Sequence, residues 1–379
     1  MKIITQLSAF DYKEIEILGD LERCKLIIDN APDEKIIKKL YEIRGKGRND
    51  YPIEAMWNSI LIMSSLECSG VEQLRRELSR NRDLRKICGF RDSDYYYGKC
   101  KLVPPAKAYT NMIKNLKKIE PMLKECFNEL REFMYENLKD FGKEVGEDGK
   151  IFSSKANKPS KTEKADGRRE VDADFTFKDH YYKDSNGVTK VKQTRYFGFR
   201  YHLLADVNYE LPIEYTVTKA SVSERKEIKK HIEMLPQDKV NKIDTLSADK
   251  GYDDEKIIEY LKEKNISPVI DIQNHWKDKE KTRQYKNSDI VYTYDGVVGK
   301  IDNNGEFNEL KYLGYDKVRE TLRYSDGKKV YSIEINYDSR VFTPIARDSY
   351  KWKRIYNKRT ALERINGRLD RDFNLENHK

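Results

Sequence analysis

Three acids in this 379-residue chain sit where ordinary structural duties do not fully account for them. Asp148, in GEDGK, stands between two glycines with Glu147 and just ahead of the strand-like KIFSS. Asp249, in SADKGY, lies at the tip of a short apolar run. Glu363, in RTALER, falls within a basic helical stretch. Each has a plain alternative: a turn-forming Asp-Gly, a helix cap, and an i,i+4 partner for Arg359. Asp249 lies 101 residues after Asp148 and 114 before Glu363, so the three come from separate elements. Carboxylates so placed can hold two Mg²⁺ ions, with waters and a substrate phosphate completing the coordination. Such ions activate a water or a 3′-hydroxyl and stabilise the oxygen that leaves a phosphodiester.

Neighbouring residues fit that chemistry. Tyr356, Arg359 and Glu363 are spaced by three and four, which puts an aromatic, a fork donor and a carboxylate on one helical face. Lys250 follows Asp249 directly and could meet phosphate, although a surface lysine is the simpler reading. Asp253, Asp254 and Glu255 read as helix-starting acids with no further duty. His202, in FRYHLLADV, reads as a strand residue. The run Tyr95–Tyr97 could stack on bases or pack over helices.

The elements that must position these residues can be read from periodicity. Residues 1–142 read as helical, with PIEAMWNSILIMSSLECSGVEQLRREL and AKAYTNMIKNLKKIEPMLKECFNELREF at helical spacing. Short, arginine-bearing helices suit a helix-turn-helix-like, DNA-binding region, and a plain bundle equally. Residues 143–274 carry a β-β-α-β-α-β order, which predicts a mixed sheet flanked by helices. The polar, lysine-rich stretch from Ser154 to Arg195 is expected to be a long loop. Residues 275–345, with NNG and DG turns, predict an antiparallel β insertion. Residues 346–379 return to a basic helix.

Bulk composition narrows the partner. Charged residues make up 37% and hydrophobic residues 38%, with 26 tyrosines, a globular and not a disordered pattern. The net charge of +9 is modest, but Arg347–Arg371 holds nine Lys/Arg against three Asp/Glu. A basic cluster favours a polyanion. Five cysteines, odd in number and without a C-x-x-C pair, read as reduced thiols. The charged N-terminus is neither a signal peptide nor a membrane span, which predicts a cytoplasmic protein.

Taken together, DGK with SxAN after it, DGRREVDADF, YFGFRYHLLADVNYELPIEYTVTKAS, SADKGYDD and Tyr356-x2-Arg359-x3-Glu363 resemble the DDE transposases of bacterial insertion sequences. The resemblance runs from about residue 50 to the end. It implies an α/β, RNase H-like catalytic core with Asp148, Asp249 and Glu363 as the catalytic, metal-binding triad, using Mg²⁺ or Mn²⁺. It implies double-stranded DNA as partner, both the terminal inverted repeats and the target, and a homodimer on that DNA. Tyr356 and Arg359 would contact DNA near the scissile phosphate, and Arg364 is added on charge alone. The insertion is similar to one that several such transposases use in handling cleaved ends. Two departures stand out. Asp370 occupies the place of an expected lysine, for which Arg368 or Arg371 could substitute, and the chain stops 16 residues after Glu363. An RNase H-like endonuclease without strand transfer and a truncated, DNA-binding copy remain alternatives.

Overall fold

The computed structural model describes residues 21–375, apart from 48, 93–94, 96–97, 99, 157–169, 186 and 278–279. Tyr96, Tyr97 and Asn157 therefore lie outside the described residues. The chain divides into two compact units, one of residues 1–138 with 367–379 and one of residues 139–366.

The first unit is helical: α1 (Leu21–Asn30), α2 (Glu34–Arg44), α3 (Ile53–Leu61), α4 (Val71–Arg80), α5 (Arg82–Cys88), α6 (Ala106–Lys118) and α7 (Glu120–Asn137). Its core gathers the apolar stripes, with Leu40, Trp57, Leu74, Leu78, Tyr109 and Met112 buried. Pro52 and Gly70 sit at the N-caps of α3 and α4. Asn81 alone separates α4 from α5, its side chain accepting from the Asp83 and Leu84 N–H groups at 3.0 Å. This pair therefore lacks the three- or four-residue turn of a helix-turn-helix. The five cysteines are free thiols.

The second unit holds a six-stranded mixed sheet: β1 (Glu144–Ser153), β2 (Asp174–Lys183), β3 (Thr189–Asp206), β4 (Leu211–Lys219), β5 (Thr245–Ala248) and β6 (Ser267–Ile270). The order is β2-β3-β1-β5-β6, with β4 on the other flank of β3. β5 and β6 run parallel to β1, while β3 runs antiparallel to its three partners. The parallel strands β5 and β6, the latter at the sheet's edge, are short and almost wholly buried, as strands covered on both faces must be. Helix α8 (Arg225–Met234) covers one face; α9 (Glu255–Glu263) follows β5.

Residues 283–334 form two small antiparallel sheets. One contains β7 (Arg283–Gln284), β8 (Ile290–Tyr292), β9 (Val298–Ile301) and β10 (Phe307–Glu309). The other contains β11 (Lys311–Asp316), β12 (Thr321–Ser325) and β13 (Val330–Glu334). They share an aromatic core around Tyr292, Tyr324 and Phe342. Helices α10 (Tyr350–Asn357) and α11 (Thr360–Arg371) follow. Among the described residues, no helix is long and apolar enough to cross a membrane.

Two expectations need correction. The stretch from Ser154 to Arg195 is not one loop, because its second half forms β2 and the start of β3. Lysines alternate there with aromatic and β-branched residues, and both faces are exposed, so no apolar period marks the strands. Asp148 also lies within β1, not ahead of it. The flanking glycines are strand residues needed for close approach. A Cβ at Gly146 would meet Leu362 Cδ1 at 2.9 Å, and one at Gly149 would meet Glu224 Cγ at 2.9 Å.

Candidate active site

Strand register brings two of the three acids together. Gly146 pairs with Ser247 across β1 and β5. Continuing that parallel register sets Asp249 level with Asp148, on strands about 4.8 Å apart. The two carboxylates repel each other, and the repulsion is visible at Asp148. Burial first, then the charge of Asp249, raises its carboxyl to about 6, against the Gly149 N–H and Arg359.

Each carboxylate is held locally. Asp148 Oδ1 accepts from Gly149 N at 3.0 Å, and Oδ2 accepts from Asn366 Nδ2 at 2.8 Å. Tyr201 in turn donates to Asn366 Oδ1. Asp249 Oδ1 accepts from Gly251 N at 2.7 Å, which caps the single 3₁₀ turn Lys250–Tyr252. Asp249 thus takes a capping bond, though not that of α9, which Asp254 caps through Lys256 N. Asp253 is no idle helix starter. It is buried, pairs with Arg340 at 3.0 Å and accepts from Gln273 N.

Glu363 stands apart from the pair. Its side chain is 60% exposed and accepts from Arg359 Nη2 at 2.9 Å. Among the described residues, no three His, Cys, Asp or Glu side chains come close enough together to hold a metal ion. The single helical face expected for Tyr356, Arg359 and Glu363 is also broken. Tyr356 belongs to α10 and Glu363 to α11, with Arg359 in the junction. The three still form a ladder. Trp352 stacks on Tyr356 at 4.7 Å, and the Arg359 guanidinium lies 5.8 Å from the Tyr356 ring centre. Burial opposes the Arg359 charge, but Tyr356, Glu363 and Asp148 together raise its pKa.

The other expected contacts are more ordinary. Lys250 is exposed, and Arg364 is occupied by an ion pair with Glu210 at 2.6 Å. His202 is a buried β3 residue whose Nε2 meets Thr218 Oγ1 at 2.9 Å.

Two residues that matter were not singled out from sequence. Asn366 lies three residues after Glu363, and helical spacing could have marked it. Glu224, beside the first turn of α8, pairs with Arg200 at 2.6 Å. Burial raises it to about 7 despite Arg200, with Asp148 and Asp249 adding to the rise. No local pattern reveals Glu224, because its neighbours come from β1 and β5.

Behind the site, on the opposite face of β1, Glu147 is wholly buried and accepts from His231 Nδ1 at 2.9 Å. Thr216 Oγ1 donates to Glu227 at 2.6 Å and so accepts from His231 Nε2 at 3.0 Å. Both imidazole nitrogens then carry protons, consistent with a raised His231 pKa.

The donor set suits a hard divalent cation: carboxylate oxygens from two adjacent strands, whose mutual repulsion a cation would relieve.

Comparison with known families agrees on class. Residues 164–379, more than half of the chain, match the model described as "Transposase DDE domain", and residues 17–96 match "Transposase domain (DUF772)". The first span contains Asp249 and Glu363 and begins after Asp148. No curated protein matches. A solved structure titled "Cryo-EM structure of piggyBac transposase synaptic complex with hairpin DNA" is similar at 11% identity and a TM-score of 0.39, covering 93% of this chain and 68% of that one.

Proposed function

This chain belongs to the transposase DDE-domain family, and we propose that it cuts and joins DNA through a metal site built on Asp148 and Asp249 of an RNase H-like core. The observation that carries the proposal is the pair itself. Asp148 within β1 and Asp249 just past the carboxyl end of the parallel β5 lie level in the strand register, with the Asp148 charge disfavoured by burial and by its neighbour. Each carboxylate accepts hydrogen bonds as a structural acid does, but Asp148 also has a like-charged neighbour in Asp249, which a purely structural acid avoids.

Asp148 and Asp249 would hold Mg²⁺ or Mn²⁺, and Glu363 joins them only by leaving Arg359. When bound, the cation supplies Lewis-acid activation of the phosphodiester and of the attacking water or 3′-hydroxyl. The chain's own residues orient the substrate. Asn366 fixes the rotamer of Asp148 through its amide. Arg359, freed from Glu363, presents a fork to the scissile phosphate, with Tyr356 stacked behind it. Lys250 adds a point charge beside Asp249. The substrate is double-stranded DNA, the inverted-repeat ends of an element and its target, handled by a homodimer at the nucleoid in the cytoplasm.

A strand-transfer assay with labelled element ends and Mg²⁺ tests this reading. The intact chain is expected to yield joined product, and Asp249→Asn none. Joined product from Asp249→Asn would overturn the site. Cleavage without joining would restrict the activity to an endonuclease.

A further inference from the structure

We propose that the ribbon formed by β2 and the first half of β3 is a DNA-binding arm that grips the duplex about one helical turn from the cut. The inference rests on the reading of DNA as substrate and adds a contact surface that this reading does not include.

Four features of the ribbon support it. From Lys178 to Gln193 every described residue of both strands is exposed, so neither face packs on the rest of its unit. An isolated two-stranded hairpin is marginal in water and gains stability from whatever covers it. Secondly, its two faces differ. Cross-strand pairs His180–Lys192 and Tyr182–Lys190, with Lys178 opposite Thr194, make one face basic and aromatic, without an acid among these six. Two carboxylates lie nearby: Asp184 in the turn, paired with Lys190 at 3.0 Å, and Asp179 on the opposite face, which accepts from Gln193 Nε2 at 2.9 Å. On the other face Arg195 lies 3.6 Å from the Phe175 ring centre, and Tyr181 is 71% exposed. Lysines interleaved with exposed rings suit a phosphate backbone and base edges. Thirdly, a two-stranded β-ribbon has the cross-section that the major groove of B-DNA admits.

The fourth feature is placement. Gly198 of β3 pairs with both Ser153, the end of β1, and Asp174, the start of β2. The ribbon therefore continues the sheet past the carboxyl end of β1, the end at which Asp249 leaves β5. Leu203 lies opposite Asp148 and Lys192 lies eleven residues further along β3. At about 3.3 Å per residue the lysine face is on the order of 36 Å from Asp148, close to one turn of B-DNA at about 34 Å.

The test uses the full chain and a fluorescein-labelled, mixed-sequence duplex of about four helical turns, with anisotropy followed across a NaCl series. The triple change Lys178→Ala, Lys190→Ala, Lys192→Ala is expected to weaken binding at least about tenfold and to flatten the log–log salt slope by about 2.7, or about 0.9 for each phosphate no longer neutralised. The matched change Lys226→Ala, Lys229→Ala, Lys256→Ala, also at exposed positions, is expected to alter the slope far less. Circular dichroism confirms that each variant is folded. Equal affinity and slope in the ribbon variant and the intact chain would overturn the arm while leaving the active-site reading intact. An intact chain that binds no duplex would overturn both. If Phe177→Ser with Tyr181→Ser abolishes self-association in sedimentation and the lysine variant leaves DNA binding unchanged, the ribbon is a contact between copies and the inference fails.

Discussion

Glu147 and Asp148 are adjacent acids on one strand, and they lead opposite lives. Glu147 points to the α8 face, is wholly buried and meets a doubly protonated His231. Asp148 points to the α11 face, where its neighbours are another carboxylate, an amide and a distant guanidinium. Burial raises both carboxyls, but His231 opposes the rise at Glu147, whereas Asp249 adds to it at Asp148. An acid paired with a cation in a sealed pocket holds structure. An acid beside a like charge, reachable from solvent, is what the proposed cation site calls for. Pleat alternation, one residue apart, separates the two roles.

The largest expected difference between these faces is in chemistry. Asp148→Asn and Asp249→Asn should each abolish DNA cleavage, and Asp148→Asn should raise Tm because it removes a repulsive buried charge. Glu147→Ala should do the reverse. It leaves His231 charged and unpaired, which costs about 3–5 kcal/mol of stability in denaturant melts. Glu147→Gln, which keeps an acceptor for His231, should cost less. Asn366→Ala comes next, with a fall of about 10–100-fold in cleavage rate and little change in Tm, as for groups that orient a ligand.

Acidity sharpens the contrast further. The Asp148 carboxyl has a folded pKa near 6 against an ordinary value of 3.8, so the folded state holds the proton longer than the unfolded one. Its effect on stability is most favourable below 3.8 and fades as pH rises through 6. Melts across that window should show this slope in the intact chain and lose it in Asp148→Asn. The smallest expected change is at Arg364, half exposed in its pair with Glu210. Arg364→Ala should alter stability by less than about 1 kcal/mol.

How much of this could be read from the chain depends on distance. Secondary structure set by local pattern was legible: the apolar run before Asp249 is β5, and the turn signals after residue 275 mark small antiparallel sheets. Contacts between remote segments were not. Asp253 looked like a helix starter because its partner, Arg340, is 87 residues away. Glu224 is invisible until β1 and β5 are laid side by side. The β2–β3 ribbon escaped notice because strands exposed on both faces carry no apolar alternation to betray them. The break between α10 and α11 at Arg359 was hidden as well, since the spacing of three and four holds across it.

The central claim is that the α11 face of β1 binds a divalent cation and the α8 face does not. Calorimetric titration of the intact chain with Mn²⁺, in the absence of DNA, tests it directly. The account predicts binding that is lost in Asp148→Asn and in Asp249→Asn and kept in Glu147→Gln. Binding that survives both aspartate changes would contradict it.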